Sequence, residues 1–354
     1  KSDNKVMLEN LPYFTVKNVQ VYHKSTEKSE LVGRDIEEKE FVMDVKLKRE
    51  YARGYIANAE AGAGTEERWM GRAFGLFYND YTRLSAFANI NNVNEDRKPG
   101  NDGDWKPADM PRGLLKTRQV GVDLETEDKE KTFNESFSST LTWKDADNET
   151  NTASESFATD GSIYRGSSSK TLSDDFRFQM QNQLRLRKLG IHSYTWLSYT
   201  NGNSFSESMD STFTTTLTNR RYSIGLNKNR SININQHLFW FKSFESGDYM
   251  SINISGNYYN NKPAEYFSLS RTDYVATSEQ DLRNSYTDSH TSNYSYGITG
   301  EYQFALPDEW ELNPSVGYWQ NQQSVTNGFY RLDMLDNERY EEFGLLPSTR
   351  DSLD

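Results

Sequence analysis

Residues 176–188 read FRFQMQNQLRLRK, and every second side chain changes character. Phe176, Phe178, Met180, Leu184 and Leu186 fall on one register. Arg177, Gln179, Gln181, Gln183, Arg185 and Arg187 fall on the other. A period of two is the signature of a strand with unlike faces, because successive side chains leave a pleated backbone on opposite sides. Between Phe176 and Leu186, Asn182 is the one polar residue in the apolar register. The pattern recurs. Phe133, Phe137, Leu141 and Trp143 alternate with Ser, Thr and Asn. Met250, Ile252, Ile254 and Tyr258 do the same, as do Tyr294, Tyr296, Ile298, Tyr302 and Phe304, which oppose Glu301 and Gln303 among others. Strands are expected near 51–64, 67–79, 82–93, 117–126, 132–144, 174–188, 191–202, 213–243, 248–260, 292–306 and 310–321. Residues 1–50 read as a smaller mixed segment, with a helical turn at VMLENL and strands at TVKNVQVY and FVMDVKLK.

Composition narrows what such a sheet can be. Hydrophobic residues make up only 34% of the chain, yet aromatics reach 14%, which a disordered chain would lack. No apolar run approaches the roughly 18 residues that a membrane helix needs. Net charge is −12, which disfavours nucleic acid as a partner. Cys is absent, so disulfides, thiolate metal sites and cysteine nucleophiles are excluded. His23, His192, His237 and His290 lie far apart and without metal-ligand spacing, and no nucleophile elbow, zinc-protease or phosphate-loop motif is present. The chain reads as a non-enzyme.

Connections alternate in length after the first hairpin, whose short TEER loop stands on the long side and breaks the pattern. NDYT, EDKEK, KLGI, FESGD and LPDEW are tight, whereas 94–116, 145–173, 203–212 and 261–291 read as long polar loops. Aromatics such as Phe77, Tyr81, Trp240, Phe244, Tyr249 and Trp310 crowd the tight turns. Short turns at one end, long loops at the other and rings beside the turns are features of transmembrane β-barrels. On this reading Phe176, Phe178, Met180, Leu184 and Leu186 face lipid. Arg177, Gln179, Gln181, Gln183, Arg185, Arg187, Glu301 and Gln303 face a wet lumen. The lumen arginines have two readings: steering an anionic solute or holding a plug, or cross-linking the inner wall. Trp105, Tyr164, Phe205, Tyr266 and Tyr274 stand in the expected loops, either as contacts for a ligand or partner or as packing between loops. The acidic stretches 91–105 and 144–155 offer oxygens for Ca²⁺ without the ordered spacing of a calcium loop.

The segments NLPYFTVKNVQVYHK, SELVGRDIEEKEFVMDVKLKRE, GYIANAEAGAGTEERW and NDYTRLSAFANINNVN resemble the plug-to-barrel junction of TonB-dependent outer-membrane receptors of the Bacteroidota. The resemblance covers the first 94 residues, with a weaker likeness to about residue 205. It implies an all-β fold: an antiparallel transmembrane barrel of about twenty-two strands, entered at 51–354 and preceded at 1–50 by the end of a small α+β plug domain. It also implies an outer-membrane location in a Gram-negative cell, and uptake of a large or scarce ligand such as a glycan, siderophore or peptide. The implied partners are the TonB system, a surface lipoprotein, and outer-membrane lipid and lipopolysaccharide. A non-transporting surface or adhesion barrel is the alternative. Because the chain lacks most of a plug and half the strands, it is expected to be an excerpt.

Overall fold

In a computed structural model, residues 13–26, 29, 38–48, 53–95, 113–159, 161–306 and 310–331 are described. Among them the fold is all-β, and helical structure is confined to short turns such as Tyr13–Thr15 and Arg187–Leu189. Strands β1 (Val16–Lys24) and β2 (Glu40–Leu47) form a separate antiparallel hairpin. The others are β3 (Gly54–Ala63), β4 (Trp69–Tyr78), β5 (Thr82–Asn91), β6 (Leu114–Glu127), β7 (Phe133–Ala158), β8 (Gly161–Leu186), β9 (Ile191–Phe213), β10 (Leu217–Ser243), β11 (Tyr249–Tyr274), β12 (Glu279–Ala305), β13 (Glu311–Leu312) and β14 (Ser315–Arg331). They make one twelve-stranded sheet in which neighbours in sequence are neighbours in space, with β13 and β14 both pairing with β12.

Side-chain chemistry fixes the turns. The Asn79 carboxamide accepts from the backbone N–H groups of Tyr81 and Thr82, both at 2.8 Å, which closes β4 onto β5. Asp128 accepts from Phe133 N–H at 2.7 Å and from the Thr132 hydroxyl at 2.6 Å, which closes β6 onto β7. Gly190 takes the left-handed conformation, with φ 64°, at the β8–β9 turn. Asp248 accepts from Ala305 N–H at 2.8 Å and ties the β10–β11 turn to the end of β12.

Register makes the two-faced pattern continuous. Phe178 pairs with Leu141 and Tyr199, and Met180 with Ser139 and Leu197. Ile234 pairs with Leu197 and Tyr258, and Ile254 with Leu238 and Ile298. These positions form one apolar face. The dense contacts run between strands that are neighbours in the sheet. Two buried clusters supply its cores. Phe74, Leu76, Tyr78 and Phe87 form one on β4 and β5, and Ile224, Phe267, Leu269 and Tyr286 form the other on the far halves of β10, β11 and β12.

The sheet is open. Among the described residues β3 pairs only with β4, and β14 only with β12, so the two ends of the path do not meet. This overturns the closed transmembrane β-barrel, because a wall with two unpaired edges leaves backbone N–H and C=O groups that hydrocarbon cannot satisfy. The resemblance to TonB-dependent receptors fails with it, as do the transport function, the adhesion-barrel alternative and the outer-membrane location, all of which need a sealed wall. In place of the end of an α+β plug, the described part of 1–50 contains a lone hairpin beside its short turns. The expected turn at VMLENL lies outside the described residues. No helix among the described residues is long and apolar enough to cross a membrane.

The apolar face is also interrupted. Asn182 donates to Glu135 at 3.1 Å. Beside it, Thr195 donates to the Gln236 carboxamide oxygen at 2.5 Å, and Gln236 donates to Ser193 at 2.9 Å. These two hydrogen-bonded groups, adjacent through the register pair Asn182 and Thr195, form a polar seam across β7 to β10. The stretches 145–173, 203–212 and 261–291 depart from expectation as well. Apart from their tips they continue as paired strand, Asp145 opposite Asp174 and Tyr266 opposite Thr287, for example. Both faces of these extensions are rich in Ser, Thr and Asn, so alternation was invisible while the backbone ladder persisted.

Candidate binding face

The register brings Arg177, Gln179, Gln181, Gln183, Arg185, Glu301 and Gln303 to one face of the sheet, opposite Phe176, Phe178, Met180, Leu184 and Leu186. Arg187 lies just past β8 in the 3-10 turn. Three consecutive rows on the polar face form an unusual surface. The first runs Ser136, Gln183, Tyr194, His237, Ser255, Gly297, Trp319. The second runs Ser138, Gln181, Trp196, Asn235, Asn257, Ser295, Asn321. The third runs Thr140, Gln179, Ser198, Asn233, Tyr259, Asn293, Gln323. Each row crosses β7 to β12 and β14, and none contains Asp, Glu, Lys or Arg. With 26% of the chain charged, three such rows would be expected to carry about five charged residues. Charges appear at the borders: Arg177 and Arg185 on β8, and Asp123 and Glu125 on β6, which pair with Ser138 and Ser136.

Amides are knitted together in the middle of this surface. Asn235 donates to the Asn233 side chain at 3.1 Å, and Asn257 donates to Asn233 at 3.2 Å and to Asn235 at 2.5 Å. Gln183 and His192 hydrogen bond at 2.8 Å. The Tyr194 and His237 rings lie 6.5 Å apart. Trp196 is half-buried between Gln181 and Asn235. Trp319 is 67% exposed and lies against Gly297, where a Cβ would meet its Cδ1 at 3.0 Å. At one border, burial and then the neighbouring Asp174 push the Asp175 carboxyl above its ordinary value. Sequence reasoning named the glutamines of β8 but missed Trp196, Tyr194, Trp319 and the asparagine cluster. Trp196 and Tyr194 share a register with Ser198 and His192, and that polar alternation was the available signal.

A second feature lies beside this face. A cleft of about 410 Å³ is lined by Lys24 of β1 together with Glu125, Glu127, Lys131, Asn134, Arg185 and Arg187 at the tight-turn end of the sheet.

The other expected positions are dispersed. Tyr164, Phe205, Tyr266 and Tyr274 stand in strands rather than loops. Phe205 packs on the Ile224–Phe267 cluster, while Tyr164, Tyr266 and Tyr274 are exposed. Trp105 lies outside the described residues. Among the acidic residues proposed for Ca²⁺, Asp145 pairs with Arg118 at 3.0 Å and Asp147 with Lys170 at 3.7 Å, while 96–105 falls outside the described residues. Among the described residues no group of three His, Asp or Glu is placed to hold a metal ion. Of the rings expected at an interface, Tyr249 packs on Phe241 at 5.3 Å and Phe244 on Tyr302 at 5.9 Å. No protein-family model matches the chain, and no curated protein matches it.

Proposed function

We propose that the chain is a non-catalytic binding platform whose polar face recognises a neutral, hydroxyl-rich ligand of the carbohydrate class. The single observation that carries this reading is the set of three charge-free rows, each crossing seven strands. A face that was merely solvated would draw on the Lys and Glu that the chain uses freely elsewhere. Carboxamides and hydroxyls offer donors and acceptors without fixed charge, which suits sugar hydroxyls. Trp196, Tyr194 and Trp319 add flat apolar surface beside those groups, and an aromatic ring with a polar edge suits a ligand that is apolar on one side and polar at its rim. The asparagine cluster holds its carboxamides in place before a ligand arrives, which lowers the ordering cost of binding. The chain's negative charge is consistent with no role in nucleic-acid binding.

The test is affinity electrophoresis of the purified chain in gels containing a soluble neutral glucan, mannan or xylan. Retardation is expected with at least one of them, insensitive to salt. Trp319→Ala and Trp196→Ala should each weaken it roughly two- to tenfold, the range expected for one aromatic contact. Binding confined to acidic polymers, or unchanged in both variants, would refute the proposal.

A further inference from the structure

We infer that the outer edge of β14 is a dimer interface, at which a second copy of this chain adds its own β14 antiparallel about a two-fold axis at Gln323. The inference stands apart from the ligand of the polar face. β14 pairs along its whole length with β12 and, among the described residues, with no strand on its other side. Tyr302 N–H of β12 donates to Pro314 O at 3.1 Å, and the β12–β14 register runs on from that pair without a shift. Antiparallel strands exchange backbone bonds at every second pair. The even-numbered residues of β14 therefore turn their backbone groups toward β12. The odd-numbered ones, Gly317 to Phe329, turn N–H and C=O outward.

Proteins normally blunt such an edge with Lys, Pro, a bulge or shortness. From Ser315 to Tyr330 there is no charged residue and no Pro. The strand has 17 residues and its register has no bulge. Val316 is 78% and Phe329 is 68% exposed, so both ends of the strand are open to an incoming one. The other edge, β3, has ten residues and carries Glu60, which pairs with Arg72 at 3.6 Å.

The sequence of β14 decides which strand fits. Gln323 is its middle residue, so a two-fold axis there overlaps the whole strand. In that register Phe329 of one copy comes opposite Gly317 of the other, twice by symmetry. Tyr318 comes opposite Gly328, beside which the Tyr330 ring already lies. A ring across from a glycine covers backbone that the glycine leaves bare. Directly opposite residues share a face. Val316 thus meets Tyr330 on the apolar face, while Trp319 meets Asn327 and Asn321 meets Val325 on the polar one. The three charge-free rows continue onto β14 of the second copy without meeting a charge.

Seventeen residues a side fall short of the roughly 20–30 of a standard interface, which places the dissociation constant on the order of micromolar. Sedimentation velocity of the full chain reads it, at about 0.15 M salt, where repulsion between two chains of charge −12 is screened beyond about 8 Å. A reversible monomer–dimer equilibrium is expected. Gln323→Pro spares the β12 ladder, because the N–H it removes points outward. It should weaken association roughly tenfold or more by deleting both bonds of the axial pair. Gln323→Lys sets two ammonium groups opposite each other and should weaken association severalfold, most at low salt. Both variants should keep the parent's circular dichroism, and Ala61→Lys on β3 should dimerise as the parent does. A parent that stays monomeric, or association unchanged in both Gln323 variants, would overturn the interface. Assembly beyond dimers that Ala61→Lys blocks would overturn it too, because β3 would then be the strand that joins β14.

Discussion

Gly190 offers a sharp test of how the turn end of the sheet is held. Its φ of 64° lies in the left-handed region, and its carbonyl accepts from Phe241 N–H at 2.8 Å. A Cβ on Gly190 would stand 1.8 Å from Phe241 O and 2.9 Å from Phe241 C, both backbone atoms of β10 that no rotamer change can move. Gly190→Ala therefore carries the left-handed penalty of about 1–2 kcal/mol. The strand must also shift by more than an ångström, which strains or breaks one backbone hydrogen bond worth about 1 kcal/mol and loosens Phe241, which is only 4% exposed. Together these terms give roughly 3–5 kcal/mol. Gly247 supplies the internal control. Its φ is 88°, but a Cβ there would meet only Ala305 Cβ at 3.4 Å, an ordinary contact. Gly247→Ala should therefore cost the conformational penalty alone, about 1–2 kcal/mol. Urea unfolding followed by tryptophan fluorescence reads both. With a slope near 3 kcal/mol/M, the Gly190 midpoint should fall by about 1–1.7 M and the Gly247 midpoint by less than half as much, with slopes unchanged. Equal shifts in the two variants would refute the contact between Gly190 and β10.

Other outcomes follow from the same geometry. Phe267→Ala removes a ring that is 3% exposed and should lower stability by about 3–5 kcal/mol, whereas Phe157→Ala, at 84% exposure, should leave the urea midpoint nearly unchanged. Backbone N–H donation from Phe133 holds the Asp128 carboxyl below its ordinary value of 3.8, and donation from Ala305 does the same for Asp248. A lowered folded-state value adds stability above the unfolded value and loses it as pH falls through the folded one. The double variant Asp128→Asn, Asp248→Asn should therefore show a flatter loss of stability below about pH 4 in urea midpoints taken across that range. Burial first, and then the hydrogen bond to Glu207 at 2.7 Å, push the Tyr222 phenol up to about 12. Glu207→Gln should lower that midpoint in an ultraviolet absorbance titration, and no change would argue against the contact.

Much of this architecture was legible one strand at a time. Phe176 to Leu186 declared its two faces unaided, and Asn79, Asp128 and Gly190 marked turns by residue types that close chains for known reasons. The strand extensions were less legible. Asn148 to Ser154 pairs with Arg165 to Thr171 as a regular ladder, but with polar residues on both faces the hydrophobic alternation vanishes. His192 showed no partner in sequence because Gln183, its hydrogen-bond partner, lies across the β8–β9 turn. The cleft at the tight-turn end was beyond reach for the same reason, since Lys24 and Arg185 come to line it from two different sheets.

By itself, then, the sequence determined pleat, alternation and turn chemistry, because each depends on atoms a few residues apart. Tertiary structure alone decided whether the sheet closes, since closure depends on β3 and β14 meeting across more than 250 residues, and they do not meet. It also decided which distant side chains share a row, from Gln181 through Trp196 and Asn257 to Asn321, because register is set by pairing between strands and is not written in any one of them.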